Sequence, residues 1–196
     1  MELVLASHNP HKVIEIQSIL SKKIKILSLS ELGLNEPIEE TGQTLEENAL
    51  IKARWVFEKT KKNVIADDSG LEVFALNKAP GVYSSRYAGE EGNSTKNIEK
   101  LLKELQQITD RRSRFRCCIA LIFEGKEYLF EGTVYGRITY EPLGYFGFGY
   151  DPIFIPDGYD KTFAQMSAEE KNAISHRFQS IKKLVDFLEN KVLNSS

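Results

Sequence analysis

Cysteine is almost absent from this chain of 196 residues, and the two that occur, Cys117 and Cys118, are neighbours. They lie in the strand-like run 115–123, where adjacent side chains point to opposite faces. They therefore form no ordinary disulfide and read as small buried hydrophobes rather than as a metal or redox site. Long apolar runs are missing too. Nothing approaches the roughly 20 residues of a membrane span, and the N-terminus enters an amphiphilic pattern too early for a signal peptide. No membrane partner is expected, and the cytoplasm is the expected compartment. An excess of one charge is also missing: 26 Lys and Arg against 28 Asp and Glu leave a formal charge of −2. That balance supplies no net field to hold nucleic acid, although a local basic cluster can still grip a small anion. There is no internal repeat, no G-x-x-x-x-G-K-[ST] phosphate loop and no disordered tract; only residues 194–196 read as loose.

What is present, 41% hydrophobic and 28% charged residues, is the composition of a folded globular protein. The length suits one sizeable core, so residues 1–196 are expected to form a single domain, with any cleft inside one fold. Leu3-Val4-Leu5-Ala6 reads as a buried strand, and Val13, Ile16, Ile19 and Leu20 recur at helical spacing, so the chain opens strand, loop, helix. A second strand is expected over 24–27. Thr44 and Glu47 form a capping box at the head of a helix running to Lys61, which leads into the strand-forming Val64-Ile65-Ala66. A helix over 95–107, two long strands over 114–123 and 127–139 joined by Glu124-Gly125-Lys126, a short strand over 152–155 and a helical C-terminus from Ser167 complete the pattern. Strands alternating with helices, plus one hairpin, predict an α/β fold on a mixed sheet.

Several segments carry chemistry. In Asp67-Asp68-Ser69-Gly70 two carboxylates directly follow an apolar strand. Adjacent aspartates repel, so a metal or a base at the rim of the sheet is expected to compensate them; a solvated turn fits the same residues. Glu39 and Glu40 precede a Thr-Gly turn and supply either further oxygens for a partial Mg2+ shell or a solvated loop. The loop Ser7-His8-Asn9-Pro10-His11-Lys12 ends at a helix start, where backbone N–H groups and the dipole attract anions. A phosphate fits there, as does an ordinary Asn-Pro turn. Asn48 and Lys52 share one helix face. In 144–151 alternating glycines let backbone approach a ligand, aromatic rings offer planes for a base, and a carboxylate closes the segment. Lys171, His176 and Arg177 bring three possible cations to a helix start, a poor match to its dipole unless they share an anion. Together these are the parts that would hold a nucleotide.

The chain resembles the inosine triphosphate pyrophosphatase family. The segments that carry the resemblance are SHNPHK at 7–12, EETGQTLEENALIKA at 39–53, ADDSGLEV at 66–73, APGVYSSRYAG at 79–89, FGYDPIF at 148–154 and KNAISHR at 171–177. They run in order over nearly the whole chain. The resemblance implies an elongated mixed sheet flanked by helices, two lobes with a central cleft, and a homodimer. It also implies Mg2+-dependent hydrolysis of ITP, dITP or XTP to the monophosphate and pyrophosphate, removing these nucleotides from the pool. Carried over by position, Glu39 and Asp68 would bind Mg2+, with Asp68 also the base for the attacking water. Ser7, His8, Asn9, Pro10, His11, Lys12, Ser69, Phe148, Gly149, Tyr150, Asp151, Lys171, His176 and Arg177 would contact substrate. Phe148 is expected to stack on the purine, and His176 or Arg177 to donate toward O6. Two departures stand out. His8 occupies a position where the family commonly has Gly, which bears on whether that backbone can approach a phosphate. Gln165 stands where the family usually has Glu, which removes a charge.

Overall fold

The computed structural model describes residues 1–20 and 23–193; the tail 194–196, read as loose from the sequence, lies outside the described residues. The elements run β1 (Glu2–Leu5), α1 (Pro10–Ile19), β2 (Lys25–Ser28), α2 (Leu45–Thr60), β3 (Val64–Val73), α3 (Ser94–Glu104), β4 (Arg112–Phe123), β5 (Lys126–Ile138), β6 (Phe154–Pro156), α4 (Ala168–Ile174) and α5 (His176–Leu193). The strands pair in the order β2-β1-β3-β4-β5-β6. β1 is parallel to both β2 and β3, whereas β6 is antiparallel to β5. The fold is thus α/β on a mixed sheet, as the alternation of elements predicts.

The chain divides into two compact units: Met1–Asp68, Cys117–Gly132 and the chain from Arg177 onward form the first, and Ser69–Arg116 with Thr133–His176 the second. Each has its own core. In the first, Leu3 and Leu5 of β1 meet Ile16, Ile65, Ile119 and Leu121, and α5 contributes Ile181, Leu184 and Leu188 from one apolar stripe. In the second, Leu71 and Val73 meet Ile98, Leu101 and Leu105, and the rings of Phe115, Phe154 and Phe163 pack on one another. Cys117 and Cys118 are buried and unbridged. Burial pushes the Cys117 thiol up to about 11, so it remains a protonated packing group at neutral pH, as expected.

Local chemistry explains the boundaries. Thr44 caps α2 by accepting the Glu47 N–H at 3.1 Å, while the Glu47 carboxylate accepts from Gln43 N at 2.7 Å. Glu124 and Gly125, both at positive φ (51° and 76°), make the two-residue turn whose twist suits the β4–β5 hairpin. The C-terminal helical region is two helices, broken where Ser175 adopts an extended conformation (φ −65°, ψ 155°).

Asp67-Asp68-Ser69-Gly70 is no turn and no rim: it continues a strand of 10 residues. Gly70 permits this because a Cβ there would lie 2.3 Å from the Gly81 carbonyl oxygen. Being successive strand residues, Asp67 and Asp68 point to opposite faces and enter separate environments.

Candidate active site

The first unit gathers charged side chains from four elements. Helix α1 starts at Pro10 because Asn9 caps it, its Oδ1 accepting the N–H groups of His11 at 3.0 Å and Lys12 at 3.4 Å. Those donors, expected for a phosphate, are engaged by the cap itself. Ser7 Oγ accepts from Asn9 N at 3.2 Å, and the His8 ring lies 3.0 Å from the Glu36 carbonyl oxygen. His8 is not among the non-glycine residues at positive φ, so replacing Gly by His costs no backbone strain there.

From the first turn of α1, Lys12 Nζ reaches Asp67 Oδ2 at 3.1 Å. Arg177 Nη2 approaches the same oxygen at 3.4 Å, and its Nη1 pairs with Glu15. Arg177 is 2% exposed, the largest side chain to be so buried; its guanidinium is engaged by two carboxylates. On the other face of β3, Lys52 Nζ lies 3.4 Å from Asp68 Oδ1 and 2.5 Å from Glu40 Oε1. One turn before Lys52, Asn48 Oδ1 accepts the Gly42 N–H at 2.8 Å and so ties the loop carrying Glu40 to α2. Glu39, one residue earlier, is exposed.

The two aspartates are electrostatically opposite. Burial by itself would raise the Asp67 carboxyl, but Lys12, Arg177 and Lys52 outweigh it and hold the group well below the usual carboxylate range. For Asp68, burial wins: Lys52 and Lys12 offset it only partly, and Glu40 and Asp67 push in the same direction, so the group is raised. Lys52 stays charged because Asp68 and Glu40 together overcome its own burial. Lys12, Lys52 and Arg177 thus face Glu15, Glu40, Asp67 and Asp68.

This arrangement suits a hard cation. Asp68 Oδ2 is buried with no hydrogen-bond partner, and an acid that resists ionisation is relieved by a divalent charge beside it. Among the described residues no group of three or more His, Cys, Asp or Glu is placed to hold a metal alone. Mg2+ does not need one, since it takes one or two carboxylates and completes its shell with water and phosphate oxygens. The residues present therefore fit Mg2+.

The second unit holds the aromatic loop. Asp151 Oδ2 accepts from Phe148 N and from Lys171 Nζ, each at 2.8 Å, and Lys171 Nζ lies 4.9 Å from the centre of the Phe148 ring. Gly147 makes the tight turn possible: it has φ +75°, and a Cβ would sit 2.1 Å from Asp151 Oδ2. Gly149 is also at positive φ. Lys171 projects from α4, which Ser167 and Glu170 cap reciprocally. Tyr150 turns inward and donates its hydroxyl to the Ser84 carbonyl oxygen at 2.8 Å. The His176 ring lies flat on Phe115, with centroids 4.8 Å apart and planes 9° from parallel. Ser69 is half-buried in β3. Gln165 accepts from Thr162 N at 2.9 Å, a capping role that an amide fills as well as a carboxylate.

Of the residues singled out by sequence, the structure brings together Lys12, Asp67, Asp68 and Arg177 in one unit, and Phe148, Asp151 and Lys171 in the other. Glu40, expected as a further oxygen of a Mg2+ shell, and Lys52, expected on one helix face with Asn48, join the first group, and Glu15 joins it without having been singled out. The Asn48–Lys52 spacing carried a signal for Lys52. Glu15, three residues after Lys12, showed only that both share a helix face.

A model of the Ham1 family matches residues 3–187. The chain belongs to the Ham1 family. A dITP/XTP pyrophosphatase of Flavobacterium psychrophilum is 50% identical over 190 residues, covering 97% of this chain and 100% of that protein. One of Bacillus subtilis is 50% identical over 192 residues, covering 96% and 97%. Among solved structures, the Ham1 protein of Staphylococcus aureus superposes with a TM-score of 0.89 at 47% identity, covering 97% of this chain and 100% of that one. The mixed sheet and flanking helices described above are thus the Ham1 fold.

Proposed function

We propose that this Ham1 chain hydrolyses dITP, XTP and ITP to the nucleoside monophosphate and pyrophosphate, clearing deaminated purine nucleotides from the pool. The observation that carries this reading is the divergence of the two adjacent aspartates. Asp67 lies between Lys12 and Arg177, which hold its carboxyl well below the usual range, and Asp68 is a buried carboxyl raised by its surroundings, with one oxygen unengaged. Relatives at 50% identity over almost the full length are dITP/XTP pyrophosphatases, in agreement with it.

In this scheme Lys12 and Lys52 offset the charge of the triphosphate, and Asp68 accepts a proton from the water that attacks the α-phosphorus. The α–β bridging bond breaks, and pyrophosphate leaves. Bound Mg2+, held by Asp68 with Glu39 or Glu40, would supply charge neutralisation on the phosphate oxygens. Phe148 offers its ring to the purine, with Lys171 and Asp151 holding that loop in shape. Ser7 to His11, Ser69, Gly149 and His176 keep the substrate roles that the resemblance gives them. Tyr150 serves through its bond to Ser84, and Arg177 through Asp67. The proposal includes a homodimer acting in the cytoplasm. No described helix is long and apolar enough to cross a membrane, and light scattering should give twice the 22.3 kDa of one chain.

The decisive experiment is a panel of nucleoside triphosphates with Mg2+, reading out both products. dITP and XTP should exceed dATP and UTP by at least about 10²-fold, within the range that unpaired polar groups in a site can impose. Equal turnover of all four would remove the base preference; orthophosphate as product would remove the pyrophosphatase. Nucleotide binding without turnover would make the chain a sensor.

A further inference from the structure

We infer that Glu15 is a positioning residue, acting through Arg177 and Asp67 to place the Lys12 ammonium. The inference rests on the phosphate-binding role proposed for Lys12. Four side chains form a line of alternating charge. Glu15 pairs with Arg177 Nη1, Arg177 Nη2 lies 3.4 Å from Asp67 Oδ2, and Lys12 Nζ lies 3.1 Å from that same oxygen. The line begins and ends on one turn of α1, at Glu15 and Lys12, and closes through β3 and the first turn of α5.

Burial gives the line its rigidity. Asp67 is 0% and Arg177 2% exposed in their side chains, whereas Glu15 and Lys12, at 15% and 16%, reach toward solvent. A lysine side chain has several rotatable bonds and no shape of its own; Asp67 Oδ2 supplies its anchor. That oxygen is shared, because Arg177 competes for it. Arg177 carries a planar fork of donors, and Glu15 engages one arm of it. With Glu15 neutral, one arm of the guanidinium loses its carboxylate, and Arg177 draws the shared Asp67 oxygen from Lys12. The ammonium then loses its fixed place before substrate arrives, and preorganisation at the triphosphate is lost with it. Glu15 touches no substrate in this scheme; its effect appears only where Lys12 acts.

That dependence is the test. Wild type, Glu15→Gln, Lys12→Met and the double variant are assayed with dITP and Mg2+, with thermal melting as a check of folding. Glu15→Gln should lower kcat/KM by about 10-fold or more, mainly through KM, since sub-ångström to ångström displacement of a charged group costs of this order. In the Lys12→Met background the same substitution should cost less than about 2-fold, the signature of two residues acting as one unit. An equal factor in both backgrounds means that Glu15 serves folding or another group, and overturns the inference. Should Glu15→Gln melt below the assay temperature, Glu15→Asp, which keeps the charge but withdraws it by one methylene, enters the same cycle under the same criterion. If wild type does not turn over dITP, the pyrophosphatase reading fails separately. The cycle is then run on calorimetric binding of inorganic pyrophosphate, where additivity again overturns the role of Glu15.

Discussion

Replacing either of two adjacent aspartates by asparagine should move the stability of the metal-free protein in opposite directions. Asp67→Asn removes the anion that lies between Lys12 and Arg177 at 3.1 and 3.4 Å, in a site where its own side chain is fully buried. Arg177 loses one of its two carboxylate contacts, and Lys12 loses its anchor at that oxygen. Breaking a buried pair from one side costs about 3–5 kcal/mol, or roughly 6–20 °C in melting temperature for a chain of this size. Asp68→Asn removes a charge that the site disfavours, and Lys52 retains Glu40 at 2.5 Å. It should stabilise by about 1 kcal/mol, roughly 2–4 °C, while abolishing turnover, as is common for groups kept strained for chemistry.

The pH dependence carries the same signs. The Asp67 carboxyl lies below its ordinary value of 3.8 in the fold. Its contribution is therefore fully present above that pH and is lost as pH falls through the lower folded value. The Asp68 carboxyl lies above 3.8, so its penalty develops as pH rises past 3.8 and is complete above the folded value. Melting curves in EDTA at pH 7 and near pH 4 measure the Asp68 penalty, and curves continued well below pH 3.8 measure the loss of the Asp67 contribution. A loss of stability in Asp68→Asn at pH 7, or a gain in Asp67→Asn, would refute the assignment of unequal environments.

Lys52→Met should destabilise the metal-free protein by about 3–5 kcal/mol, because Asp68 and Glu40 lose their shared cation; added Mg2+ should recover much of the melting temperature, and no recovery would argue against a metal at Asp68. Tyr150→Phe, which removes the bond to the Ser84 carbonyl, should cost about 1 kcal/mol, and a fall beyond roughly 10 °C in a melting experiment would mean the hydroxyl does more than hold that loop. Gly147→Ala places a Cβ against Asp151 at a positive φ, so about 1–3 kcal/mol of strain is expected. It should raise KM for dITP more than it lowers kcat, and unchanged kinetics would detach the loop from substrate.

Much of the fold is legible in the residues themselves. Helical spacing and a capping threonine locate α2, alternation and a two-residue glycine turn locate the β4–β5 hairpin, and adjacent cysteines in an apolar strand are buried as strand geometry requires. Such features depend on neighbours a few positions apart, so local propensity reports them. Ser175, a residue type that caps helices, marks the break before the last helix, although the pattern reads as helical from Ser167 onward.

By itself the sequence determined which residues are candidates for chemistry: paired aspartates after an apolar strand, a lysine at a helix start, an aromatic loop ending in a carboxylate. Only tertiary structure decided what each one does. Asp67 and Asp68 have the same side chain and differ by one position, yet the strand turns them to opposite faces, one against Lys12 and Arg177, the other against Lys52 and Glu40. Arg177 lies 110 positions from Asp67 and 162 from Glu15 along the chain. The energy that separates a lowered carboxyl from a raised one comes from burial and from charges a few ångströms away, and those distances exist only once the chain has folded.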